Sequence, residues 1–303
     1  MNDGIVVIGS MNMDLVVETD YVPKKGETVL GNQFHQIPGG KGANQAMAAG
    51  KLGANVNFIG ACGDDNFGET LISNLKNGGV NTKNIHRVKK NTGIASITVE
   101  KNGDNRIIVV PGANHSLSSK IINQHSDIIK KASVLLLQLE IPINTVEKAI
   151  ELGNKFNTTI ILDPAPAQKL NPEIYKKIDY LLPNEGELEN LLDEKKLSLD
   201  KKINKLIELG VNNLVLTKGK EGVKVYNKKN ANTYPSLKVD AVDTTAAGDA
   251  FAGALAYGLQ KKWNEDKIYK FANKVAAISV TKIGAQSSLP TMAEVESFPK
   301  REV

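Results

Sequence analysis

The residues best suited to chemistry lie in the run Asp243-Thr-Thr-Ala-Ala-Gly-Asp249, which leads into an alanine-rich helical segment. Residues 246–248 are small, so the backbone there can approach a ligand closely. The start of the helix adds free N–H groups and the positive end of its dipole, which suit a phosphate group. Asp249 stands in the first turn, where a carboxylate can take the proton of an attacking hydroxyl. An Asp that only stabilised the helix dipole would not explain the three small residues before it.

A second run, Gly39-Gly-Lys-Gly-Ala-Asn44, is rich in glycine and precedes another helical segment. Its spacing differs from that of a Walker phosphate loop, which needs Gly-x4-Gly-Lys-Ser/Thr. Lys41 and Asn44 can instead donate hydrogen bonds to the hydroxyl groups of a sugar. A flexible pair of glycines beside a surface lysine is the alternative interpretation.

Polar residues also follow three of the apolar, strand-like runs. Ligands of open parallel sheets bind beyond the carboxyl ends of the strands, so these residues stand where a substrate would be held. Asn12 and Asp14 follow the first run, although such residues alone are only turn formers. Asn184 and Glu187 lie one helical turn apart and could hold hydrated Mg²⁺ and phosphate oxygens, or form an ordinary helix cap. Residues 217–222, Thr-Lys-Gly-Lys-Glu-Gly, could line a nucleotide base or form a plain β-turn.

Apolar runs alternate with helical segments along most of the chain, and this pattern predicts the scaffold that positions these residues. Strands are predicted at residues 5–9, 56–60, 134–138, 159–162, 180–182 and 213–217. Helices are predicted at residues 43–52, 68–77, 145–156, 201–209, 247–259 and 267–282. The alternation indicates an α/β fold in which a central, mostly parallel β-sheet carries helices on both faces.

Two stretches, residues 14–40 and 93–111, interrupt this alternation. The first contains short strand-like runs at 15–18 and 28–30, and the second has two β-branched runs joined by Asn102-Gly103, which predicts a hairpin. We predict that together they form a small β-sheet lid over the substrate site. The apolar face of such a sheet needs cover, which predicts a homodimer formed through the lid. The predicted core domain comprises residues 1–13, 41–92 and 112–303.

Composition narrows the class of protein. The chain of 303 residues is 41% apolar and 23% charged, which is typical of a globular protein with one large domain, or with a large and a smaller one. The sequence shows no apolar run suited to a membrane span, no signal-like leader and a single cysteine, Cys62, so we expect a cytoplasmic protein. The net charge of +5 comes from 38 basic and 33 acidic residues spread along the chain, which argues against nucleic acid binding.

Taken together, these motifs resemble the PfkB carbohydrate kinase family over nearly the whole length, from Gly9-Ser-Met-Asn-Met-Asp14 to Gly284-Ala-Gln286. Both family motifs are present, at residues 39–44 and 243–249. The runs at 39–46, 138–140 and 163–167 are similar to those of the ribose kinases in the family. The resemblance implies a ribokinase-like fold, Rossmann-like with a β-sheet lid, and transfer of the γ-phosphoryl group of ATP to the 5-hydroxyl of D-ribose.

The resemblance also implies a role for each matching residue. Ribose would be bound by Asn12, Asp14, Gly40, Lys41, Asn44, Glu140 and Asp249, with Asp249 as the catalytic base. The N–H groups of Ala246, Ala247 and Gly248 would form an anion hole. ATP would lie along Asn184, Thr217, Lys218, Gly219, Lys220, Glu221, Gly222, Gly248 and Asn273. Asn184 and Glu187 would order Mg²⁺ and phosphate.

Ribose kinases of this family are activated by a monovalent cation, usually K⁺, and the resemblance implies such a site here. The matching positions, several of them acting through backbone carbonyls, are Asp243, Thr245, Ser279, Lys282, Gly284 and Ser288. The chain departs from the common family pattern at two positions. It has Asp163 where Asn is frequent and Asn273 where His is frequent near the adenine.

Three alternatives stay open at this level. A sibling kinase for deoxyribose, fructose or another small sugar would share the scaffold and differ only in the sugar pocket. A non-catalytic sugar-binding regulator would be favoured by loss of Asp249, which is present. A dinucleotide-binding oxidoreductase would need Gly-x-Gly-x-x-Gly after the first strand, and residues 9–14 do not match it.

Overall fold

The computed structural model of the chain describes residues 4–192 and 197–299, so the outer limits of the predicted core domain, at 1 and 303, lie outside the described residues. The strands are β1 (Ile5–Ile8), β2 (Asn12–Thr19), β3 (Gln33–Gly39), β4 (Val56–Gly63), β5 (Val80–Val88), β6 (Gly93–Glu100), β7 (Asn105–Val110), β8 (Val134–Leu137), β9 (Thr159–Leu162), β10 (Tyr180–Leu181), β11 (Asn213–Thr217), β12 (Val223–Tyr226) and β13 (Ala231–Tyr234). The α-helices are α1 (Lys41–Lys51), α2 (Asn66–Asn77), α3 (Ser119–Gln124), α4 (Ser126–Lys131), α5 (Ile143–Lys155), α6 (Pro172–Tyr175), α7 (Glu185–Leu191), α8 (Leu199–Glu208), α9 (Ala247–Gln260), α10 (Glu265–Ser279) and α11 (Met292–Ser297).

The larger sheet has the strand order β13-β12-β11-β10-β9-β8-β1-β4-β5. The strands from β11 to β5 in this order are parallel, and β12 and β13 add an antiparallel edge. Strand β1 shows why the sheet is covered on both faces, because all four of its residues are buried. Ile5 and Val7 enter the hydrophobic cluster that α1, α9 and α10 cover, whereas Val6 and Ile8 enter the cluster on the opposite face.

The strand order places the carboxyl ends of β1, β8, β9, β10 and β11 side by side. All five strands run in the same direction, so the residues that follow them meet at one edge of the sheet. This is the edge at which the sequence predicted the substrate site. The predicted α/β core, with helices on both faces of a mostly parallel sheet, is therefore confirmed.

A second, smaller sheet has the order β3-β2-β6-β7. The predicted hairpin is present in it, because Val99 pairs with Asn105 across a turn in which Gly103 has φ +90°. The strand predicted at residues 28–30 is wrong, and the partner of β2 is instead β3. The reason is local: Leu30 is 91% exposed and has no surface to pack on.

Strand β7 forms the edge of the smaller sheet and is exposed at every position. Its apolar residues Ile107, Ile108, Val109 and Val110 are 53%, 69%, 46% and 49% exposed. An exposed apolar edge strand of this kind is a natural place for another chain to pair or pack.

The free thiol of Cys62 is buried in β4. Within the described residues, no helix combines the length and the apolar character that a membrane crossing needs.

Candidate functional site

The first turns of α1 and α9 meet at Asp249, which is 6% exposed. Asn44 Nδ2 donates to Asp249 Oδ2 at 2.9 Å, and Gln45 Nε2 donates to Asp249 Oδ1 at 2.9 Å. Both oxygens of the carboxylate are thus held by amide groups from α1. Ala246, at the cap of α9, adopts a left-handed conformation with φ +60°, an uncommon state for a residue with a Cβ. This turn sets the direction in which the first N–H groups of α9 point.

Opposing effects act on the pKa of Asp249. Burial raises it, whereas the charge of Lys41 and the hydrogen bonds from Asn44 and Gln45 lower it, and Glu140 raises it further. The net result is a pKa above the ordinary value of an aspartate. A carboxylate with a raised pKa accepts a proton more readily, which suits a general base that acts near neutral pH.

Lys41, the first residue of α1, is the cation at the centre of this site. Burial alone would lower its pKa, but the surrounding carboxylates of Asp249, Asp163, Glu140 and Glu187 raise the pKa above the ordinary lysine value. Lys41 therefore keeps its positive charge among four acidic groups. Such a charge can also stabilise negative charge that develops on a substrate.

Gly39 and Gly40, which precede α1, lie too close to the predicted sugar-binding residues Asp14 and Asn12 to carry a side chain. A Cβ at Gly39 would lie 2.2 Å from Asp14 Oδ2, and a Cβ at Gly40 would lie 2.7 Å from the backbone nitrogen of Asn12. Gly40 also has φ +89°, which a residue with a side chain rarely adopts. Burial, together with the nearby charges of Glu140 and Asp249, raises the pKa of Asp14 to about 7.

Glu140 and Asn12 are fixed by contacts from separate parts of the chain. Ser10 Oγ donates to Glu140 Oε2 at 2.5 Å, and the backbone N–H of Lys41 donates to the same oxygen at 3.0 Å. Asn114 Nδ2 donates to Asn12 Oδ1 at 2.7 Å. Asn114, in a short 3-10 helix at Gly112–Ser116, was not predicted, because a single Asn outside any motif carries no signal of its own. The predicted sugar-binding residues are in this way brought together around Asp249.

A cavity of about 240 Å³ lies on the other side of Asp249. Its lining includes Asn184, Glu187 and Thr217, predicted for Mg²⁺ and ATP, the predicted anion hole of Ala246, Ala247 and Gly248, and also Lys41 and Asp249, which were predicted to bind the sugar. Asn184 and Glu187 form a capping box at the start of α7: Glu187 N donates to Asn184 Oδ1 at 2.8 Å, and Asn184 N donates to Glu187 Oε2 at 2.9 Å. The helix-cap interpretation is therefore correct, and the same two side chains also line the cavity.

Of the other residues predicted to bind ATP, those at 218–222 follow Thr217 at the end of β11, whereas Asn273 lies in α10. Thr217 joins the loop after β10, because its N–H donates to Pro183 O at 2.9 Å. Lys218, Gly219, Lys220, Glu221 and Gly222 form the turn between β11 and β12. Asn273 is buried in α10, where its amide donates to Tyr234 O at 2.8 Å and Pro235 O at 3.2 Å, and it is not among the described residues that line the cavity.

The residues proposed for a monovalent cation lie in two adjoining segments. Asp243 connects them, because its carboxylate accepts hydrogen bonds from Thr245 N at 2.9 Å and from Gly284 N at 2.8 Å. Burial opposes ionisation of Asp243, but these hydrogen bonds hold its pKa below the ordinary value. The ammonium group of Lys282 pairs with Glu294, so the backbone carbonyl of Lys282 is the group left for a cation.

Ser279 and Ser288 are both fully buried beside these segments. Their hydroxyl groups donate to Ala276 O and Ala285 O, both at 2.8 Å. The described residues include no cluster of three or more His, Cys, Asp or Glu side chains that could hold a metal ion. A cation here would thus be bound mainly by carbonyl and hydroxyl oxygens.

Two further residues were not singled out for the site from the sequence. Gln45 is fully buried in α1, and Asp163, which follows β9, is 7% exposed and lines the same cavity as Asp249. Gln45 Nε2 donates to Asp163 Oδ2 at 2.7 Å as well as to Asp249. Gln45 directly follows the glycine-rich run, which ends at Asn44, and a polar residue inside an alanine-rich helix is the signal that could have revealed it.

The comparisons with known proteins agree with this geometry. Residues 2–292 match the family model described as pfkB family carbohydrate kinase. The chain belongs to this family. It is 41% identical to the ribokinase of Bacillus subtilis (strain 168), over 97% of this chain and 98% of that protein. It is also 38% identical to the deoxyribokinase of Salmonella typhi, over 97% of this chain and 98% of that protein.

A solved structure extends the likeness of this family member to three dimensions. The structure of Arabidopsis thaliana ribokinase, complexed with ribose and ATP, is 30% identical in sequence and has a TM-score of 0.92, with full coverage of both chains. The ribokinase-like fold is thus confirmed. Together with the relatives, this likeness makes the chain a sugar kinase of the ribokinase type.

Proposed function

We propose that this chain transfers the γ-phosphoryl group of ATP to the 5-hydroxyl of D-ribose. The observation that carries the proposal is the position of Asp249, between the predicted sugar-binding residues and the cavity lined by the predicted phosphate-binding residues. The relatives named ribokinase, and the related structure that contains ribose and ATP, support this choice of substrates.

In this proposal, Asp249 removes the proton of the attacking hydroxyl, and the proton stays on its carboxylate until it is released with the product. Asn12, Asp14, Asn44 and Glu140 orient the sugar by hydrogen bonds. Lys41 and the N–H groups at the start of α9 stabilise the negative charge on the transferred group. Asp249, Asn44, Asn12 and Glu140 are held by hydrogen bonds within the fold, which limits the reorganisation that these groups undergo in the reaction.

Mg²⁺ would be held near Asn184 and Glu187. The donor set fits, because Mg²⁺ prefers oxygen ligands and keeps several waters, and the capping box uses only one of the two carboxylate oxygens of Glu187. When bound with ATP, Mg²⁺ supplies positive charge to the phosphate oxygens. Glu187 would orient a water of the ion through its second oxygen.

K⁺ would be held by Asp243, Thr245, Ser279, Lys282, Gly284 and Ser288. The fit rests on Asp243, whose ionised carboxylate already joins the two segments that supply the backbone carbonyls. A bound cation would add charge balance there and fix the loop that leads into α9. Asp243 itself would provide the one formal negative charge.

We also propose that residues 14–40 and 93–111 act as a lid, and that two copies of the chain associate through it. The exposed apolar residues of β7, Ile107 to Val110, support this, since association would remove them from water. We expect Ile108→Lys to weaken the dimer, because it places a charge on this edge strand. In analytical sedimentation, we expect the parent chain to have the mass of a dimer and the variant to have a lower mass. A parent chain of monomer mass at micromolar concentration would contradict the proposal.

A coupled assay of ADP release tests the substrate and the cation together. We expect ribose to give the highest kcat/KM among ribose, 2-deoxyribose, fructose and adenosine. We also expect low activity in buffer that contains only Na⁺ and recovery on addition of K⁺. Because the cation would order the loop before α9, its removal should lower turnover without abolishing ribose binding.

The alternatives have different outcomes in the same assay. Preference for 2-deoxyribose, which the likeness to a deoxyribokinase makes the second candidate, would move the assignment to that sugar. Preference for fructose would assign another sibling kinase. Sugar binding without ADP release from any substrate would indicate a non-catalytic regulator. Equal rates in Na⁺ and K⁺ would remove the cation site.

A further inference from the structure

The amide of Gln45 connects Asp249 to a second buried carboxylate. Gln45 Nε2 donates to Asp249 Oδ1 at 2.9 Å and to Asp163 Oδ2 at 2.7 Å. An amide nitrogen has two hydrogens, so these two bonds use both of them. A single side chain therefore links Asp163 to Asp249, although 86 positions separate the two residues in the sequence (249 minus 163).

The direction of this amide is fixed by the two carboxylates. An ionised carboxylate only accepts hydrogen bonds, so Gln45 must present its nitrogen to Asp249 and Asp163 and turn its oxygen away. Gln138 Nε2 donates to that oxygen at 2.6 Å. Gln138 Oε1 is then left buried without a hydrogen-bond partner in the described part of the chain, a costly state. The unpaired oxygen is thus at Gln138, while both N–H groups of the Gln45 amide remain hydrogen-bonded to the carboxylates.

Asp163 is also held from its other side, where Ala165 N donates to Oδ1 at 3.2 Å. The charged groups around the pair come from several elements: Lys41 on α1, Asp14 on β2, Glu140 after β8 and Glu187 on α7. Burial is the main reason that the pKa of Asp163 is raised to about 7, with Lys41 opposing and Asp249 and Glu187 adding to the rise. Repulsion between two ionised carboxylates is mutual, so Asp163 in its ionised form also favours protonation of Asp249.

We propose that Gln45 and Asp163 are positioning residues for Asp249: Gln45 holds the orientation of its carboxylate, and the charge of Asp163 adjusts the pH range in which it accepts a proton. This rests on the proposed role of Asp249 as the base. The two residues have opposite effects on the stability of the ionised form of Asp249. Gln45 stabilises the ionised form by a hydrogen bond, whereas Asp163 destabilises it by repulsion.

These opposite effects can be tested by measuring kcat/KM for ribose as a function of pH. The acid limb of that profile reports the pKa of the essential base in the free enzyme. Gln45→Met keeps the length of the side chain and removes the donor, so the acid limb should move to higher pH. Its kcat should fall by up to about 100-fold, since the carboxylate is no longer fixed. Asp163→Asn keeps an oxygen that can accept from Gln45 and removes the charge, so the acid limb should move to lower pH.

Matched controls are the same substitutions on exposed residues of α3 and α4, Gln124→Met and Asp127→Asn. Both should leave the pH profile in place. Thermal unfolding and ribose binding by calorimetry should show that the variants at Gln45 and Asp163 remain folded. A lowered kcat with an unmoved acid limb in both variants would reduce the two residues to packing roles and overturn the proposal, as would shifts of the same sign.

The reference variant Asp249→Asn separates this inference from the proposed function. If Asp249→Asn retains turnover, the assignment of the base fails, whatever Gln45→Met and Asp163→Asn do. If Asp249→Asn is inactive and the other two variants keep the parent profile, the base stands and only the positioning roles fail.

Discussion

The substitution Asp249→Asn is expected to lower the turnover number for ribose phosphorylation by at least about 100-fold, the low end of what a general base contributes. Asn has nearly the same shape but cannot accept the proton of the attacking hydroxyl. Its amide nitrogen would also face one of the two donors, Asn44 or Gln45, that hold the carboxylate. Single-turnover measurements with saturating ATP and ribose would isolate the loss in the chemical step.

Folding and substrate binding must be shown to survive this change. The variant removes a buried charge whose pKa burial raises, so a large loss of thermal stability is not expected. Calorimetric titration should still detect ribose binding, because Asn12, Asp14 and Glu140 are untouched. Asp127→Asn, the same substitution on an exposed residue of α4, is the control. Near-normal turnover in Asp249→Asn would refute the assignment of the base.

The sequence revealed those parts of the site whose signal is local. Asp249 could be placed because small residues and a helix start lie directly beside it in the chain. Asn184 and Glu187 could be placed because their spacing and the preceding strand indicate both a helix cap and the edge of the sheet. The parallel sheet followed from apolar runs such as Val134–Leu137, in which every residue is buried.

Contacts between distant segments could not be predicted in this way. The amide of Gln45 joins residues that are 118 and 204 positions away, and no local pattern encodes such a pairing. Asp163 was noted only as a departure from a family pattern, yet it lines the same cavity as Asp249. Strand β5 was missed for a related reason. Most of its residues are polar, only Val80 is buried, and its place in the sheet is decided by pairing with β4.

The substitution Lys41→Met is expected to lower the turnover number by about 100- to 1,000-fold, the range seen when one donor to a developing negative charge is removed. It should also move the acid limb of the pH profile to higher pH. Lys41 lowers the pKa of both Asp249 and Asp163, so both carboxylates hold their protons more strongly without it. Loss of turnover together with this shift distinguishes an electrostatic role from simple loss of a sugar contact, which would mainly raise KM.

Loss of the Lys41 charge should also change how the stability of the protein depends on pH. A buried carboxylate whose pKa is raised in the folded state binds more protons there than in the unfolded chain, so its ionisation lowers stability as the pH rises. For Asp163 this window runs from the ordinary value of 3.8 to about 7 in the parent. Without Lys41 the folded pKa is higher still, so the window extends upward, and the unfolding temperature of Lys41→Met should fall further than that of the parent above about pH 7.

Lys41→Arg and Lys130→Met are the matched controls for these measurements. Arg keeps the positive charge but brings a larger, planar group, so it should restore the pH dependence of stability better than it restores turnover. Lys130 is exposed on α4, and its replacement should change neither property. If Lys41→Met kept the parent turnover and the parent slope of unfolding temperature against pH, the four carboxylates around Lys41 would not depend on its charge, and the electrostatic account of this site would have to be abandoned.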